Sequence, residues 1–382
     1  MSIKNKNTSL LILWAYYPAV GHFIELMQLI ANYKNANPNI KLYVIVNDKG
    51  FYKILNYCEI IDDIYPINVK ELARNNLTQL YNLPNTFDFI IYPEQFKYKE
   101  FLTEELNTCF KVLADHFKGK IWSGFTDEYL TKTKINQNEY SPFRLNLPSL
   151  IIKEYAIKYS GYPIFSIMLK GASPQSLYPT LNFWSNLCKV ILKTYPNAIF
   201  LITGISKVHA KNEKELIKFS DVLDNFIKNI PRAYNCYDIG FENQLALIAI
   251  SNIFIAPHTG FAFLAPSLGT PWLAISGGPW GEQMLAQMPF YNVIPFCEKY
   301  PCNAGDMKLE CKTRVKLRQP IKCMSSLNTK LDDILLGIEK LLNKDYKFDD
   351  AFNDYEMSAI RNSVNVKKLW RIKRYKDHRN SS

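Results

Sequence analysis

Residues 252–278 read NIFIAPHTGFAFLAPSLGTPWLAISGG, and the order of apolar and turn residues in that stretch decides the fold. Residues 253–257 form a short continuous apolar run, the length of a buried strand. His258, Thr259 and Gly260 make a tight polar turn. Residues 261–268 read as a short apolar helix, and Gly269-Thr270-Pro271 stops it and restarts extended chain. A second buried strand is expected over 272–276, ending on Gly277 and Gly278. A chain that leaves a strand and enters a helix within three residues aims unpaired backbone N–H groups at one point, which suits phosphate or another anion. A strand–helix–strand unit with no ligand has the same pattern, so the stretch alone leaves both readings open.

The alternation extends outward from there. In the second half, 162–169 and 198–203 read as strands and 180–194 and 213–229 as helices. An extended piece runs to residue 239, 244–249 is a short helix, and 327–342 reads as a late helix. In the first half the strand candidates are 10–16, 41–46, 60–64, 87–92 and 120–122. Helical stretches lie between them, clearest at 23–33 and 97–117, where apolar residues recur at helical spacing. Strands alternating with helices imply a parallel sheet covered on both faces. Residues 124–148 are rich in Thr, Asn and Pro and read as a linker. The expected organisation is α/β, with two Rossmann-like domains at 1–150 and 151–345, a cleft between them, and a helical basic tail over 346–382. Sheets of this kind bind ligands beyond the carboxyl ends of their strands.

Candidate chemistry collects at those expected strand ends. Tyr17-Pro18-Ala19-Val20-Gly21-His22 follows the first strand and sets His22 at the start of a helix. Histidine takes a proton near neutral pH, and a helix N-terminus disfavours its charged form, which keeps it available as a base. Glu25 is the second choice for that role. Asp127 and Glu94, at ends of candidate strands, are carboxylates able to orient the imidazole. A capping or packed histidine is the structural alternative. In Lys170-Gly171-Ala172-Ser173, after the first strand of the second half, Lys170 offers a cation and Ser173 a hydroxyl for a diphosphate; a plain turn fits equally well. Gly204 ends the next strand, beside the expected donor site. Glu242, in Phe241-Glu242-Asn243, is placed to touch a base or ribose. Glu282, in the loop after the 272–276 strand, is placed to accept hydrogen bonds from ribose hydroxyls, and Trp280 to shape the cleft.

The 252–278 stretch resembles the donor-binding segment of the lipopolysaccharide heptosyltransferases, glycosyltransferase family 9. Thr259-Gly260 and Leu268-Gly269-Thr270-Pro271 carry the likeness, and Gly171-Ala172-Ser173 resembles a turn of the same proteins. The likeness covers most of the C-terminal half and extends weakly into the N-terminus. His258 stands where the family usually has Asp or Asn, and Phe263 where many members have His. Gly21-His22 is similar to the Gly-His turn of glycosyltransferases that glucosylate small acceptors, while heptosyltransferases place Gly-Asp there. The resemblance implies the GT-B arrangement of two Rossmann-like domains, with a nucleotide sugar bound mainly by the C-terminal one. It implies an inverting glycosyltransferase in cell-envelope glycan (lipopolysaccharide-like) synthesis, acting on a glycan, lipid-linked or protein acceptor. His22 would be the base, and Lys170, Ser173, His258, Thr259 and Gly260 would contact the donor. No cofactor is required in this reading. A sugar-nucleotide epimerase of the same fold is a second reading. A non-catalytic binding protein on a glycosyltransferase frame is a third, supported by the departures at His258 and Phe263.

Composition bounds these readings. A chain of 382 residues with 48% hydrophobic content has the length and apolar content for two cores. No apolar run has the length to cross a bilayer. Lys4 and Lys6 ahead of 10–20 have the layout of a signal peptide. That run is aromatic, is interrupted by Pro18 and flows into the His22 motif, so a buried first strand and a cytoplasmic location are expected. The net charge is +11, of which +6 lies from Lys367 onward. With Trp370, Ile372 and Tyr375 interleaved, that tail suits an anionic surface at the inner membrane or a polyanionic partner, and a solvated helix equally. No nucleic-acid module accompanies the charge. Cys297, Cys302, Cys311 and Cys323 share one window without Cys-x-x-Cys spacing, so a zinc knuckle is not signalled and a structural metal or disulfide stays open. The other four cysteines read as core residues.

Overall fold

The computed structural model describes residues 8–15, 19–81, 83–84, 87–92, 103–117, 121–123, 141–171, 173–209, 213–275, 287–295, 297, 300 and 307–364. The chain divides into two compact units, Met1–Asn146 and Leu147–Ser382. Each is an open, wholly parallel sheet with helical crossovers, as the alternation implies.

The first unit carries β1 (Ser9–Trp14), β2 (Lys41–Asn47), β3 (Asp63–Ile67), β4 (Phe89–Tyr92) and β5 (Ile121–Ser123), in the order β3-β2-β1-β4-β5. β1 is central and buried from Leu10 to Trp14, which is why its sequence is a continuous apolar run rather than an alternating one. β3 lies at an edge, where Pro66 interrupts the ladder least. It starts three residues later than expected. The chain turns at Cys58–Ile61, and the Asp62 carboxylate accepts the Leu42 N–H at 2.8 Å before the strand begins.

The second unit carries β6 (Ile164–Met168), β7 (Ile199–Gly204), β8 (Ala233–Tyr237), β9 (Ile253–Pro257), β10 (Trp272–Ile275) and β11 (Phe290–Val293), ordered β11-β10-β9-β6-β7-β8. Counted within the unit this is the 3-2-1-4-5-6 order of a dinucleotide-binding sheet, and β6 and β9 flank the point where the order reverses. The helix Leu181–Thr194 begins on Thr180, whose hydroxyl accepts the Phe183 N–H at 3.2 Å. It buries Trp184, Leu187 and Ile191 against the sheet. Trp184 also donates Nε1–H to the Leu169 carbonyl at 3.2 Å, so a fully buried tryptophan fixes the exit of β6.

Several expectations change. The 261–268 helix shrinks to one turn, Leu264–Ser267. The residues before it close tighter turns, with Ala262 N–H on Thr259 O and Leu264 N–H on Phe261 O, and Pro266 has no N–H to give. The linker reading covers 124–148, of which 124–140 lie outside the described residues. The stretch from Ser141 packs: Gln28 donates to Ser141 O at 2.7 Å, Ser141 N–H donates to Asn32 at 2.9 Å, and Phe143 and Leu145 are buried. The helices Ser149–Lys158 and Leu309–Lys316 and the strand β11 were not expected. The helix Phe348–Arg361 buries Phe348, Phe352 and Tyr355, and Phe290 of β11 meets Phe348 and Tyr355 at ring distances of 6.0 and 5.8 Å. It therefore belongs to the core of the second unit rather than to a separate tail; the basic residues from 365 onward lie outside the described residues. No helix among the described residues is long and apolar enough to cross a membrane.

Candidate functional site

In the first unit five residues separate the end of β1 from the helix Val20–Ala36, and β1 is the central strand of its sheet. His22 occupies the third position of that helix. Its imidazole is about one-third exposed, and Nδ1 lies 3.1 Å from Glu25 Oε2, one turn further along. Residues three apart share a helix face, which is what brings the pair together. With Nδ1–H donated to the carboxylate, a neutral ring carries its lone pair on Nε2, the arrangement a general base requires. Glu94 and Asp127 lie outside the described residues. Among the described residues the carboxylate beside His22 is that of Glu25, a residue the sequence reading placed as a rival base.

In the second unit the turns after β6 and β9 touch at the switch point. A Cβ built on Gly171 would lie 2.6 Å from Thr259 Cγ2 and 2.8 Å from Tyr178 Oη. Glycine is what allows the two turns this approach. The Thr259 hydroxyl is engaged within the fold: it accepts the Ala262 N–H at 3.3 Å and points at Met168 Sδ, 3.6 Å away. The backbone N–H groups of Thr259 and Gly260 have no hydrogen-bond partner among the described residues. They are the groups the turn can offer to an anion.

His258 is half-buried among aromatic rings. Its ring centroid is 5.1 Å from that of Phe263, edge to face, and 6.2 Å from that of Trp272, with Phe263 and Trp272 5.8 Å apart. Trp272 is fully buried and donates Nε1–H to Ala256 O at 3.3 Å. His258 and Phe263 are thus in contact with each other, and they brace the turn against β9 and β10.

Comparison with known proteins places this architecture. No protein-family model matches the sequence, and no curated protein matches it. Among solved structures, a family 9 glycosyltransferase from Veillonella parvula is similar over 90% of this chain and 99% of its own, at 11% identity and a TM-score of 0.59. The ADP-heptose lipopolysaccharide heptosyltransferase II of E. coli is similar over 87% of this chain and 100% of its own, at 11% identity and a TM-score of 0.54. The chain has the fold of these glycosyltransferases.

Within that fold the remaining candidates divide. Lys170 turns toward the helix Glu213–Lys228, with Nζ 4.7 Å from the Phe219 ring centroid, and burial holds its ammonium below the usual lysine range. It lines a cavity of about 530 Å³ together with Tyr178, Trp184, Lys218, Phe219 and Arg318, a cavity that includes no residue of the Thr259 turn. Ser173 is exposed and its backbone N–H donates to Tyr178 Oη at 3.0 Å. Gly204 has both backbone groups taken by the Gln244 side chain, at 3.1 and 2.9 Å, and a Cβ there would lie 2.4 Å from the Tyr237 ring. Its requirement for glycine is one of packing. Glu242 is exposed in the first turn of the helix Phe241–Ala249. Trp280, Glu282 and Cys302 lie outside the described residues. Cys297 and Cys311 pack against the core cluster that contains Cys323, and no group of three metal-binding side chains occurs among the described residues.

Sequence reasoning missed Tyr178, Phe219 and Gln244, whose contacts join residues 5, 49 and 40 positions apart. Only the Glu25 partnership had a local signal, its spacing of three from His22.

Proposed function

We propose that the protein is an inverting glycosyltransferase that moves a sugar from a nucleoside diphosphate to a hydroxyl acceptor. The single observation that carries this is the His22–Glu25 pair at the carboxyl end of the central strand of a Rossmann-type sheet. Nε2 of His22 takes the proton of the acceptor hydroxyl while that oxygen bonds to the anomeric carbon. The bond from that carbon to the diphosphate breaks, and its electron pair leaves on the phosphate oxygen. One displacement inverts the anomeric centre. The second unit holds the leaving diphosphate on the N–H groups of Thr259 and Gly260, whose fixed dipoles stabilise charge as it develops. Ser173 adjoins this turn through Gly171 and adds its hydroxyl to the donor contacts. The likeness to a protein named for ADP-heptose supports a nucleotide sugar as donor and an envelope glycan as the product class.

Thermal unfolding of the chain with ADP-, UDP-, GDP-, CMP- and dTDP-sugars tests the donor, because a ligand bound only by the folded form raises the midpoint. One nucleotide sugar should raise it and the nucleotide it releases on transfer should compete. No shift with any of them would sink the donor site. Release of the sugar as a 2-epimer with no acceptor present would instead establish epimerase chemistry.

A further inference from the structure

The cavity of about 530 Å³ beside Lys170 lies within the second unit and shares no residue with the Thr259 turn. Its size is that of a small-ligand site. Leu169, Pro179, Trp184 and Phe219 give it apolar walls, and the fold ties those walls together. Trp184 holds the Leu169 carbonyl, the Ile321 N–H donates to Ser176 O at 3.0 Å, and Arg314 Nη1 donates to Pro320 O at 3.2 Å. Three cations and one carboxylate also line it: Lys170, Lys218, Arg318 and Glu215. Lys170 is half-buried, the other two cations exposed. Among the described residues no acceptor reaches the Lys170 ammonium or the Arg318 guanidinium, and the Phe219 ring is what Lys170 meets. Arg318 stands just past the helix Leu309–Lys316 with φ 57°. Gln319 N–H bonds to Arg314 O at 2.9 Å and Arg318 N–H to Val315 O at 3.1 Å, which closes a Schellman turn. Glycine is the usual residue at that place. Arginine gains nothing for the turn, but its side chain lines the cavity.

A charge drawn partly out of water without an acceptor costs free energy, which a bound anion offsets. A purely apolar molecule would leave Lys170 as it is. A bare inorganic anion would leave the apolar walls in water. A molecule with an apolar body and an oxyanion head satisfies both, and the guanidinium fork matches two oxygens of such a head. We propose that this cavity binds an organic anion, its apolar body against Phe219 and Pro179 and its carboxylate or phosphate head taken by Lys170 and Arg318. The proposal stands apart from the reading of sugar transfer.

Calorimetric titration of the full chain with 1-naphthyl phosphate tests it, with inorganic phosphate and 1-naphthol as the head and the body alone. The chain should bind one equivalent of 1-naphthyl phosphate, and each part alone at least about ten-fold more weakly. Lys170→Met keeps an apolar stem and removes the charge. It should weaken binding about ten- to 100-fold, the worth of a hydrogen bond to a charged group. Arg318→Gly removes the second charge and should weaken binding by a similar factor. Its unfolding midpoint should hold or rise, because glycine suits the left-handed backbone. Weaker binding in a chain at least as stable as the parent is not what a damaged fold gives. Failure of the parent to bind, or parent-like affinity in either variant, overturns the proposal. Displacement of 1-naphthyl phosphate by nucleoside diphosphates would put it in the donor site and overturn the proposal as well.

Discussion

Glu25 Oε2 lies 3.1 Å from His22 Nδ1, one turn apart on the helix that follows the central strand of the first unit. If the pair acts as base and orienting carboxylate, His22→Ala should lower the transfer rate by roughly 10²–10⁴-fold with donor affinity unchanged. Glu25→Gln keeps an acceptor for Nδ1–H and should lose less than Glu25→Ala. Single-turnover rates and calorimetric donor titrations check both; full activity in His22→Ala removes the imidazole from the mechanism.

Gly171 is where the turns after β6 and β9 meet. Gly171→Val would drive a branched side chain into Thr259 Cγ2 and Tyr178 Oη, which stand 2.6 and 2.8 Å from the first added carbon. Overpacking of this kind costs about 1–3 kcal/mol. It should displace the Thr259 turn, so nucleotide-sugar binding should fall by at least about ten-fold while far-ultraviolet circular dichroism stays unchanged. Parent-like binding would separate the turn from the donor.

His258 and Phe263 form one packed unit with Trp272. A double-mutant cycle of His258→Ala and Phe263→Ala should show a coupling of ~0.5–1.5 kcal/mol in denaturant unfolding, the size of an aromatic pair. His258→Asp alone sets a carboxylate against two rings and should destabilise. A coupling of zero would mean the rings are merely adjacent.

Gly337 sits in the helix Leu331–Leu342 with the Tyr291 ring 2.5 Å from where its Cβ would be, and Tyr291 is tethered by its hydroxyl to Asp333 at 2.6 Å. Alanine at an ordinary buried helix position gains up to about 1 kcal/mol over glycine. Here the clash outweighs that gain, and Gly337→Ala should lower the thermal midpoint by about 2–4 °C. A rise would show that the tyrosine yields.

Burial pushes the thiols of Cys58 and Cys109 up to about 12 and that of Cys236 up to about 11. Near pH 8 only about one part in 10³–10⁴ of each is thiolate, the form that alkylates. Iodoacetamide on the native chain should therefore modify the half-buried Cys297 and Cys311 well before these three, as peptide mass spectrometry would read. Early labelling of Cys58 or Cys109 would mean that their surroundings open.

Much of this protein could be read along the chain. β9 falls at 253–257 as expected, because five apolar residues between an Asn and a polar turn permit little else. Trp184 and its neighbours at helical spacing announce their own burial. Local pattern carries such information because strand and helix periods are properties of short windows. The same reasoning misplaced β3 by three residues and overextended the 261–268 helix. Those boundaries rest on the Asp62–Leu42 hydrogen bond, which ties the turn before β3 to β2, and on the tighter turns between Thr259 and Leu264.

By itself, then, the sequence determined the alternation of strand and helix, two parallel sheets, and the strand ends where His22 and Thr259 stand. Tertiary structure decided what each candidate touches. It gave His22 the carboxylate of Glu25, turned Lys170 onto Phe219, closed Gln244 on Gly204 and set His258 against Phe263. Periodicity records which side of an element meets the core, and it holds no term for which side chain from a distant element arrives there. That depends on strand order and crossover direction, which only the folded chain supplies.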